Sequence, residues 1–337
     1  MKTTIIATAL TLIAIGTLPA AAQTDRTDTA APAKTSGSGA TSATRVDPKT
    51  ASDPKANPDD PTLKPEDPAT PVVADPTAAD GEATAALQDD EDDPDLDVNL
   101  AQPDFTIVAL PTTLRLPKGK FAFRITHRFA RPLGEGDFGS LVEDFFGFDS
   151  GALIGLELRY GLFRGAQVGI NRTSDRTIQL FSQYDVVSQQ SFPIGIGAWG
   201  SIDGTNNFRD SYSPALGVIL SRELGEHGAV YAEPIWVNNT NPEPSELVDD
   251  NSTLMLGLGT RLRLRPTVYV TAEVSPRLAG YAPGDALVSF GVEKRVGGHA
   301  FSINFSNGFG TTMAPVARGG TSYDDWYIGF NIARKFY

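Results

Sequence analysis

The sequence has 337 residues, which is room for one large domain or two small ones, and no cysteine, which excludes disulfides and thiolate metal sites. Its formal net charge of −13 argues against nucleic acid as a partner. The charge is uneven: residues 23–104 hold 19 acidic and 6 basic residues, whereas residues 105–337 hold 22 acidic residues, 21 basic residues and all 30 aromatic residues. The composition therefore indicates an acidic tail joined to a nearly neutral, aromatic-rich body.

Residues 1–22 are predicted to be a secretory signal peptide. One lysine precedes a short apolar run, residues 5–18, and three alanines follow at 20–22. Threonines interrupt the run and a proline ends it, so a membrane-spanning helix is disfavoured. We expect cleavage before Gln23, so that the mature protein leaves the cytoplasm.

Residues 23–104 contain 11 prolines and no aromatic residue. Such a segment cannot bury enough apolar area to offset the entropy of ordering, so we predict a disordered, acidic, Asp-Pro-rich linker. Asp95, Asp97 and Asn99 have the spacing of calcium ligands, but Leu100 stands where an EF-hand loop needs glycine. The acidic run is therefore interpreted as a solvated linker and not as a metal site.

Residues 105–118 form a lead-in segment between the linker and the body. The stretch FTIVALPTTLRLP is apolar, but Pro111 and Pro117 argue against a strand with a full hydrogen-bond ladder. Two placements stay open at this point. The segment either leads into the body from the periplasm or enters a lumen.

The body, residues 119–337, divides into alternating segments that Gly, Pro, Asn or Asp bound. Strict alternation of apolar and polar residues predicts strands whose faces meet two different environments. We count twelve such segments: residues 119–131, 151–160, 165–172, 176–187, 192–202, 212–222, 229–239, 252–265, 266–274, 286–294, 299–307 and 324–337.

Short connections mostly alternate with long ones along the chain. An even number of strands returns the two ends of the chain to the same side of the membrane. Both features are typical of outer-membrane barrels. The polar faces carry both signs of charge, which a lumen accommodates and lipid does not. We therefore predict an all-β protein, a transmembrane antiparallel β-barrel of about 12 strands preceded by the signal peptide and the disordered tail.

A soluble β-sandwich or lipocalin-like barrel also alternates, with its apolar face inward. The export signal, the face shared by glycines and arginines, and the aromatic C-terminus favour the membrane barrel. We expect it in the outer membrane of a Gram-negative cell, in contact with outer-membrane lipid, with the N-terminal tail in the periplasm.

Charged residues on the polar faces are candidates for the lining of the lumen. They can form either a salt-bridged filling or the wall of a narrow pore, and an arginine stripe on residues 252–265 would favour anions in such a pore. The candidates are Arg124, Arg128, Glu157, Arg159, Asp185, Glu233, Arg261, Arg263, Arg265, Glu273 and Glu293.

Two further features of the body have open interpretations. The connection 132–150 carries Phe138, Phe145, Phe146 and Phe148, so it either folds over or into the mouth of the barrel or anchors on the lipid rim. His127 lies on the same face of the first strand as the residues that are predicted to face lipid. A β-bulge in this strand would turn His127 toward the lumen.

The terminal segment is predicted to close the barrel and to carry the signal for the barrel-assembly machinery. Its apolar stripe ends at Phe336, so we interpret Phe336 as the recognition aromatic and Tyr337 as an interfacial overhang. The predicted assembly signal consists of Phe330, Ile332, Phe336 and Tyr337.

Four stretches resemble the sequence blocks of an uncharacterised bacterial β-barrel family, domain of unknown function 5777. They are FAFRITHRFA (121–130), FFGFDSGALIGLELRYGL (145–162), VGGHAFSINFSNG (296–308) and WYIGFNIARKF (326–336). The resemblance covers residues 114–337 and implies an outer-membrane barrel with no assigned activity. The sequence departs from the family pattern at Ala130, where glycine is usual, and at Tyr337, which follows the usual terminal phenylalanine.

Three functions are weighed. The first is a narrow passive channel for small polar or anionic solutes, because mixed charge lies on the lumen parity. The alternative is a non-conducting structural anchor that presents its acidic periplasmic tether to a partner or to cations. An embedded lipid hydrolase is disfavoured, because neither His299 with Ser302 nor His127 with Thr126 forms a specific catalytic pair. The sequence thus predicts no enzyme, cofactor, metal or nucleic-acid partner, and it leaves the oligomeric state open.

Overall fold

The computed structural model describes residues 94–147, 151–242 and 250–337. The predicted signal peptide and residues 23–93 of the predicted linker lie outside these residues. The described chain forms one antiparallel sheet. Its strands are β1 (Phe121–Phe129), β2 (Ala152–Phe163), β3 (Ala166–Thr173), β4 (Ile178–Val187), β5 (Gly195–Gly204), β6 (Tyr212–Glu223), β7 (Gly228–Asn238), β8 (Ser252–Arg265), β9 (Val268–Ser275), β10 (Arg277–Gly280), β11 (Leu287–Val296), β12 (His299–Ser306) and β13 (Tyr327–Phe336).

The sheet closes into a barrel of twelve strands. Apart from the short β10, each strand pairs with the next one along the chain, β9 pairs with both β8 and β11, and β1 pairs with β13. The short β10 also pairs with β8, so β9 and β10 are two parts of one strand that is broken at Pro276. The Pro276 carbonyl accepts a hydrogen bond from the backbone N–H of Leu256 at 2.9 Å, which continues the ladder across the break. This closure confirms the predicted transmembrane-type antiparallel barrel.

The strand bounds agree with the alternation of the sequence. β8 has the predicted bounds, 252–265, and the other predicted strands begin and end within three residues of the observed ones. The exception is β10, which lies in a segment predicted to be a loop. Its four residues are too short for alternation to indicate a strand.

The apolar face of the wall points outward. In β8, Leu254 and Leu258 are 36% and 39% exposed, whereas Met255 and Arg261 are fully buried. A soluble sandwich or lipocalin-like barrel would have the opposite orientation, with leucines inside. An outward apolar surface is the arrangement that a lipid-embedded barrel requires.

The two ends of the barrel differ. At the end that we call the turn end, the connections are mostly short, and β1 begins and β13 ends there. The turn-end connections are 164–165, 188–194, 224–227, 266–267 and 297–298. The opposite end, the loop end, carries the longer connections, with one tight exception at 174–177.

The lead-in segment lies inside the barrel. Residues 105–112 form a hairpin: the Thr112 N–H donates to the Phe105 carbonyl at 2.9 Å, and the Ile107 N–H donates to the Leu110 carbonyl at 2.8 Å. Of the two placements left open by the sequence, the structure therefore has the one in the lumen. We call residues 101–117 the plug segment. Its buried apolar residues are Ala101, Phe105, Ile107, Val108, Leu110, Leu114 and Leu116.

Short helices lie in the loops of the loop end: α1 (Phe138–Glu143), α2 (Thr205–Phe208) and α3 (Met313–Arg318). The Asp137 carboxylate accepts hydrogen bonds from the backbone N–H and hydroxyl of Ser140 at the start of α1, which lowers the pKa of Asp137. α1 has no buried residue, and Phe138 is 73% exposed. Connection 132–150 thus keeps its helix out of the lumen, while Phe148 lies outside the described residues.

No helix among the described residues is long and apolar enough to cross a membrane.

Candidate functional site: a lumen filled by the chain itself

The tip of the plug hairpin is held by one carboxylate of the barrel wall. Glu273 on β9 accepts hydrogen bonds from the backbone N–H groups of Val108 and Ala109 at 3.0 Å and of Leu110 at 3.1 Å. A tight turn aims successive N–H groups in one direction, which makes a small anion-binding nest. Because hydrogen bonds to an ionised acceptor are the strong ones, Glu273 is the main polar attachment of the tip.

Side chains of the wall also satisfy the carbonyl groups of the plug. Arg261 donates to the Thr106 carbonyl at 2.6 Å and to the Asp104 carbonyl at 3.3 Å. Asn331 donates to Val108, Gln183 to Thr112 and Gln167 to Leu114, at 2.8–3.1 Å. A buried peptide without a neighbouring strand needs such partners. The wall therefore supplies the hydrogen bonds that a sheet would otherwise provide.

Glycines on the inner face of β8 make space for the apolar tip. A Cβ atom at Gly257 would lie 2.9 Å from Cδ1 of Leu110, and one at Gly259 would overlap Cδ1 of Ile107. A larger residue at either position would therefore force the Leu110 or Ile107 side chain to shift. The glycine stripe that the sequence puts opposite the β8 leucines is thus the seat of the plug.

Charged pairs line the wall around the plug. Arg124 contacts Glu157 at 3.3 Å, Arg159 also pairs with Glu157, and Arg261 pairs with Glu293 at 2.9 Å. The Arg159 guanidinium lies 5.2 Å from the ring centroid of Phe105 in the plug. These pairs are almost fully buried, so their charges are compensated by each other and not by water.

The loop end has a closure of its own. Helix α3 buries Met313, Ala314, Val316 and Ala317. The Ala314 N–H donates to the Asp203 carboxylate of β5 at 2.8 Å, and a side-chain N–H of Gln179 donates to the same group at 2.8 Å. Between α3 and the plug is a cavity of about 10 Å³, which is room for about one water. The described chain therefore fills the lumen from both ends.

The predicted lumen residues divide into two groups. Nine of them are buried on the inner face: Arg124, Arg128, Glu157, Arg159, Asp185, Glu233, Arg261, Glu273 and Glu293. Arg263 is half-buried at the turn end, where it contacts Glu226 at 3.2 Å, and Arg265 is exposed. β8 is longer than its neighbour: Leu262 pairs with Gly228, the first residue of β7. Arg263 and Arg265 therefore extend beyond the part of the wall that β7 covers. The arginine stripe therefore does not line one continuous pore.

Several residues that hold the plug and α3 were missed by the sequence analysis, which considered only charged residues within the predicted strands and ended the fifth strand at residue 202. They are Gln167, Gln183, Asn331 and Asp203. All of them alternate with the outward-facing residues of their strands and so point into the lumen. Polar residues on the inner face, whatever their charge, would therefore have predicted them. The plug itself had no such signal, since its partners lie far away in the sequence.

The histidines of the strands lie on the outer face. His127 stacks on Phe330 with ring centroids 4.8 Å apart, and β1 pairs in unbroken register with β2 and β13. The bulge that would turn His127 inward is therefore absent from β1. His299 faces outward, whereas Ser302 is buried on the inner face of β12. Among the described residues, no group of three His, Asp or Glu side chains is arranged to hold a metal ion.

The predicted assembly signal lies at the turn end. Phe330, Ile332 and Phe336 point outward on β13, and Phe336 is in register with Phe121 of β1. Tyr337 follows the last strand residue and is 41% exposed. Recognition by the assembly machinery stays a prediction.

Solved porins are among the similar structures. A NanC porin is 8% identical, with a TM-score of 0.43, and the match spans 65% of this chain and 99% of that one. A Rhodopseudomonas blastica porin variant is 12% identical, with a TM-score of 0.29, and 55% of each chain is covered, so this chain spans about half the length of that porin. These TM-scores are too low to bear on function. No curated protein sequence matches the chain.

The family profile of a membrane-bound β-barrel domain, domain of unknown function 5777, matches residues 104–336. The matched part contains the whole barrel and the hairpin of the plug, and it confirms the resemblance seen in the sequence blocks. Because the match covers more than half of the sequence, the chain belongs to this family of membrane-bound β-barrels.

Proposed function

We propose that the protein is an outer-membrane channel that residues 101–117 of its own chain keep closed, and that it passes small polar solutes when this plug segment leaves the lumen. In this proposal the turn end and the acidic tail face the periplasm, and the outward apolar face contacts outer-membrane lipid. Insertion by the barrel-assembly machinery is part of the same proposal.

The observation that carries the proposal is the polar attachment of the plug. Glu273, Arg261, Asn331, Gln167 and Gln183 bind its main chain through side-chain hydrogen bonds. Water can replace each of these bonds when the plug leaves, at a small net cost per bond. A wall of buried charges is also costly in a barrel that stays filled, whereas a hydrated pore accommodates it.

The proposed solutes are small and polar, with no strong preference for anions. Arg261 pairs with Glu293, and Arg124 and Arg159 pair with Glu157. An emptied lumen would therefore present both charge signs. No catalytic step and no cofactor are part of the proposal.

The test uses a reversible lock in a chain that has no cysteine of its own. The hydroxyl oxygens of Thr113 in the plug and Ser221 on β6 lie 2.6 Å apart, so Thr113→Cys with Ser221→Cys places two thiols in contact. In planar bilayers we expect the oxidised double variant to be silent and the reduced one to open as the wild type does. Each single-cysteine variant is the control, because it cannot form the bond.

A second variant lacks residues 23–117 and therefore has no plug. We expect it to conduct persistently, and heat-modifiable migration on gels verifies that its barrel is folded. Silence from this folded, plug-free barrel would reject the channel proposal. Opening of the oxidised lock would also reject it.

A second candidate function is a non-conducting anchor that presents its acidic tail to a partner or to cations. Helix α3 favours it, because its buried apolar residues close the loop end without the plug. Removal of residues 23–93 would then abolish calcium binding, measured by titration calorimetry, while the plugged barrel stays folded. Equal calcium binding by the shortened and full chains would reject the cation-binding form of this candidate.

A further inference from the structure

Charge is distributed asymmetrically between the two faces of the described strands. Every acidic strand residue points inward: Glu157, Asp185, Asp203, Glu223, Glu233, Glu273 and Glu293. The outer face carries four charged residues, all basic: Arg172, Arg222, Lys294 and Arg334. Each lies within three residues of the end of its strand, at the depth where a barrel meets lipid headgroups.

Two of these basic residues form a cluster with a histidine at the turn end. His299 of β12 is directly opposite Arg334 of β13, and Lys294 of β11 is the diagonal neighbour of His299. Direct partners have Cβ atoms about 5 Å apart and diagonal neighbours are about 7–8 Å apart. We call Lys294, His299 and Arg334 the outward basic patch.

The cations of the patch are available to a ligand. In the part of the chain that the structure describes, neither Lys294 nor Arg334 forms an ion pair with an acidic residue. The Arg334 guanidinium lies 4.9 Å from the ring centroid of Phe336, and the His299 ring stacks on Phe301. Both aromatic contacts keep these groups against the outer wall, where Lys294 and Arg334 are exposed and His299 is half-buried.

Apolar side chains border the patch on the side of the membrane interior. Val292, Phe301 and Ile303 are 42–58% exposed on the same outer face. A ligand that matches this surface has an anionic head for the cations and a hydrocarbon chain for the apolar border. A phospholipid with a net negative charge has both parts.

We propose that the outward basic patch binds the phosphate of an anionic phospholipid in the leaflet that surrounds the turn end. Lys294 and Arg334 supply charge and N–H donors, and His299 supplies a further ring N–H between them. Phe301 and the neighbouring aliphatic side chains contact the acyl chain. This site is on the outside of the wall, so it is independent of whether the lumen conducts.

The test measures lipid binding by the full chain in detergent. Phosphatidylglycerol and phosphatidylcholine are titrated separately, with lipid adducts counted by native mass spectrometry and the melting temperature recorded. We expect the double variant Lys294→Gln with Arg334→Gln to bind phosphatidylglycerol about 30-fold more weakly, since each basic residue near an anionic surface contributes about 1 kcal/mol. Phosphatidylcholine should bind both proteins equally weakly.

Arg222 provides the matched control. It is outward and basic at the same end, but it stands alone and donates to the Pro193 carbonyl at 2.7 Å. Arg222→Gln should therefore bind phosphatidylglycerol as the wild type does. The charge-conserving variant Lys294→Arg with Arg334→Lys should also keep binding, which separates loss of charge from misfolding.

Three outcomes would overturn the proposal. One is equal phosphatidylglycerol binding by the wild type and the folded Gln double variant. Another is a loss in Arg222→Gln as large as in the double variant, which would indicate general surface charge. The third is a melting shift with glycerol 3-phosphate alone, which would assign the patch to a soluble phosphate.

Discussion

At the scale of single residues, two buried glutamates of the lumen wall have opposite environments. Glu273 accepts three backbone hydrogen bonds from the plug tip. Glu233 is fully buried, and neither of its carboxylate oxygens has a hydrogen-bond partner in the described chain. The two lie on either side of β8, in register with Gly259 and Gly257. One carboxylate therefore attaches the plug, and the other only adds a desolvation cost.

We expect Glu273→Gln to loosen the plug by about 2 kcal/mol, because the hydrogen bonds lose their ionised acceptor. A reporter cysteine at Ala101, which is 2% exposed, measures plug release as the rate of maleimide labelling. The control is Glu233→Gln with the same reporter, which should label as slowly as the parent. Equal acceleration by both substitutions would show that charge in the lumen, and not the bonds to the tip, retains the plug.

We further expect Glu233→Leu to raise the stability of the barrel by about 1–3 kcal/mol, because it removes a buried acceptor without a partner. The measurement is the temperature at which the folded band disappears on a gel. Glu293→Leu is the comparison, and it should lower that temperature because it leaves Arg261 buried without its 2.9 Å partner. A fall in both variants would mean that Glu233 has a stabilising role that its contacts do not reveal.

At the scale of elements, the β8 glycines and the plug hairpin complement each other. Gly259→Val should displace Ile107 and increase labelling of the Ala101→Cys reporter, and adding Ile107→Ala should restore slow labelling because the smaller side chain vacates the space. Gly200→Val is the control, since Gly200 is on the outer parity of β5 and its Cβ would make ordinary contacts at 3.5 Å. Additive effects of the Gly259 and Ile107 substitutions would contradict direct contact.

The elements also differ in how far the sequence predicts them. Alternation is a local signal, so it indicated the strands and their two faces, as in β8, where leucines alternate with glycines and arginines. The hairpin at 105–112 has no neighbouring strand, and its main partner, Glu273, is more than 160 positions away. β10 and α3 are too short for any periodicity to be seen. Two kinds of structure were therefore missed in the sequence analysis. One is held by hydrogen bonds to distant residues, and the other is too short to show an alternating or helical repeat.

At the scale of the whole molecule, the two closures lie in series along the lumen. The plug enters from the turn end, and α3 covers the loop end through the bond from Ala314 to Asp203. Solutes would have to pass both, so α3 still narrows the path in a barrel that has lost its plug. Residues 1–93 precede the plug in the sequence, which makes the plug, and not α3, the closure that a pull on the tail would move.

This order predicts how a change at α3 combines with removal of the plug. Asp203→Ala should loosen α3, because it removes the acceptor for the Ala314 N–H. In planar bilayers we expect little conductance from Asp203→Ala in the full chain, where the plug remains. In the chain lacking residues 23–117, the same substitution should raise the single-channel conductance several-fold, because the narrowing at α3 is relieved. Asp137→Ala is the control, because Asp137 caps the exposed α1 outside the lumen. Persistent opening by Asp203→Ala alone would mean that the plug is not a barrier and that α3 is the sole gate.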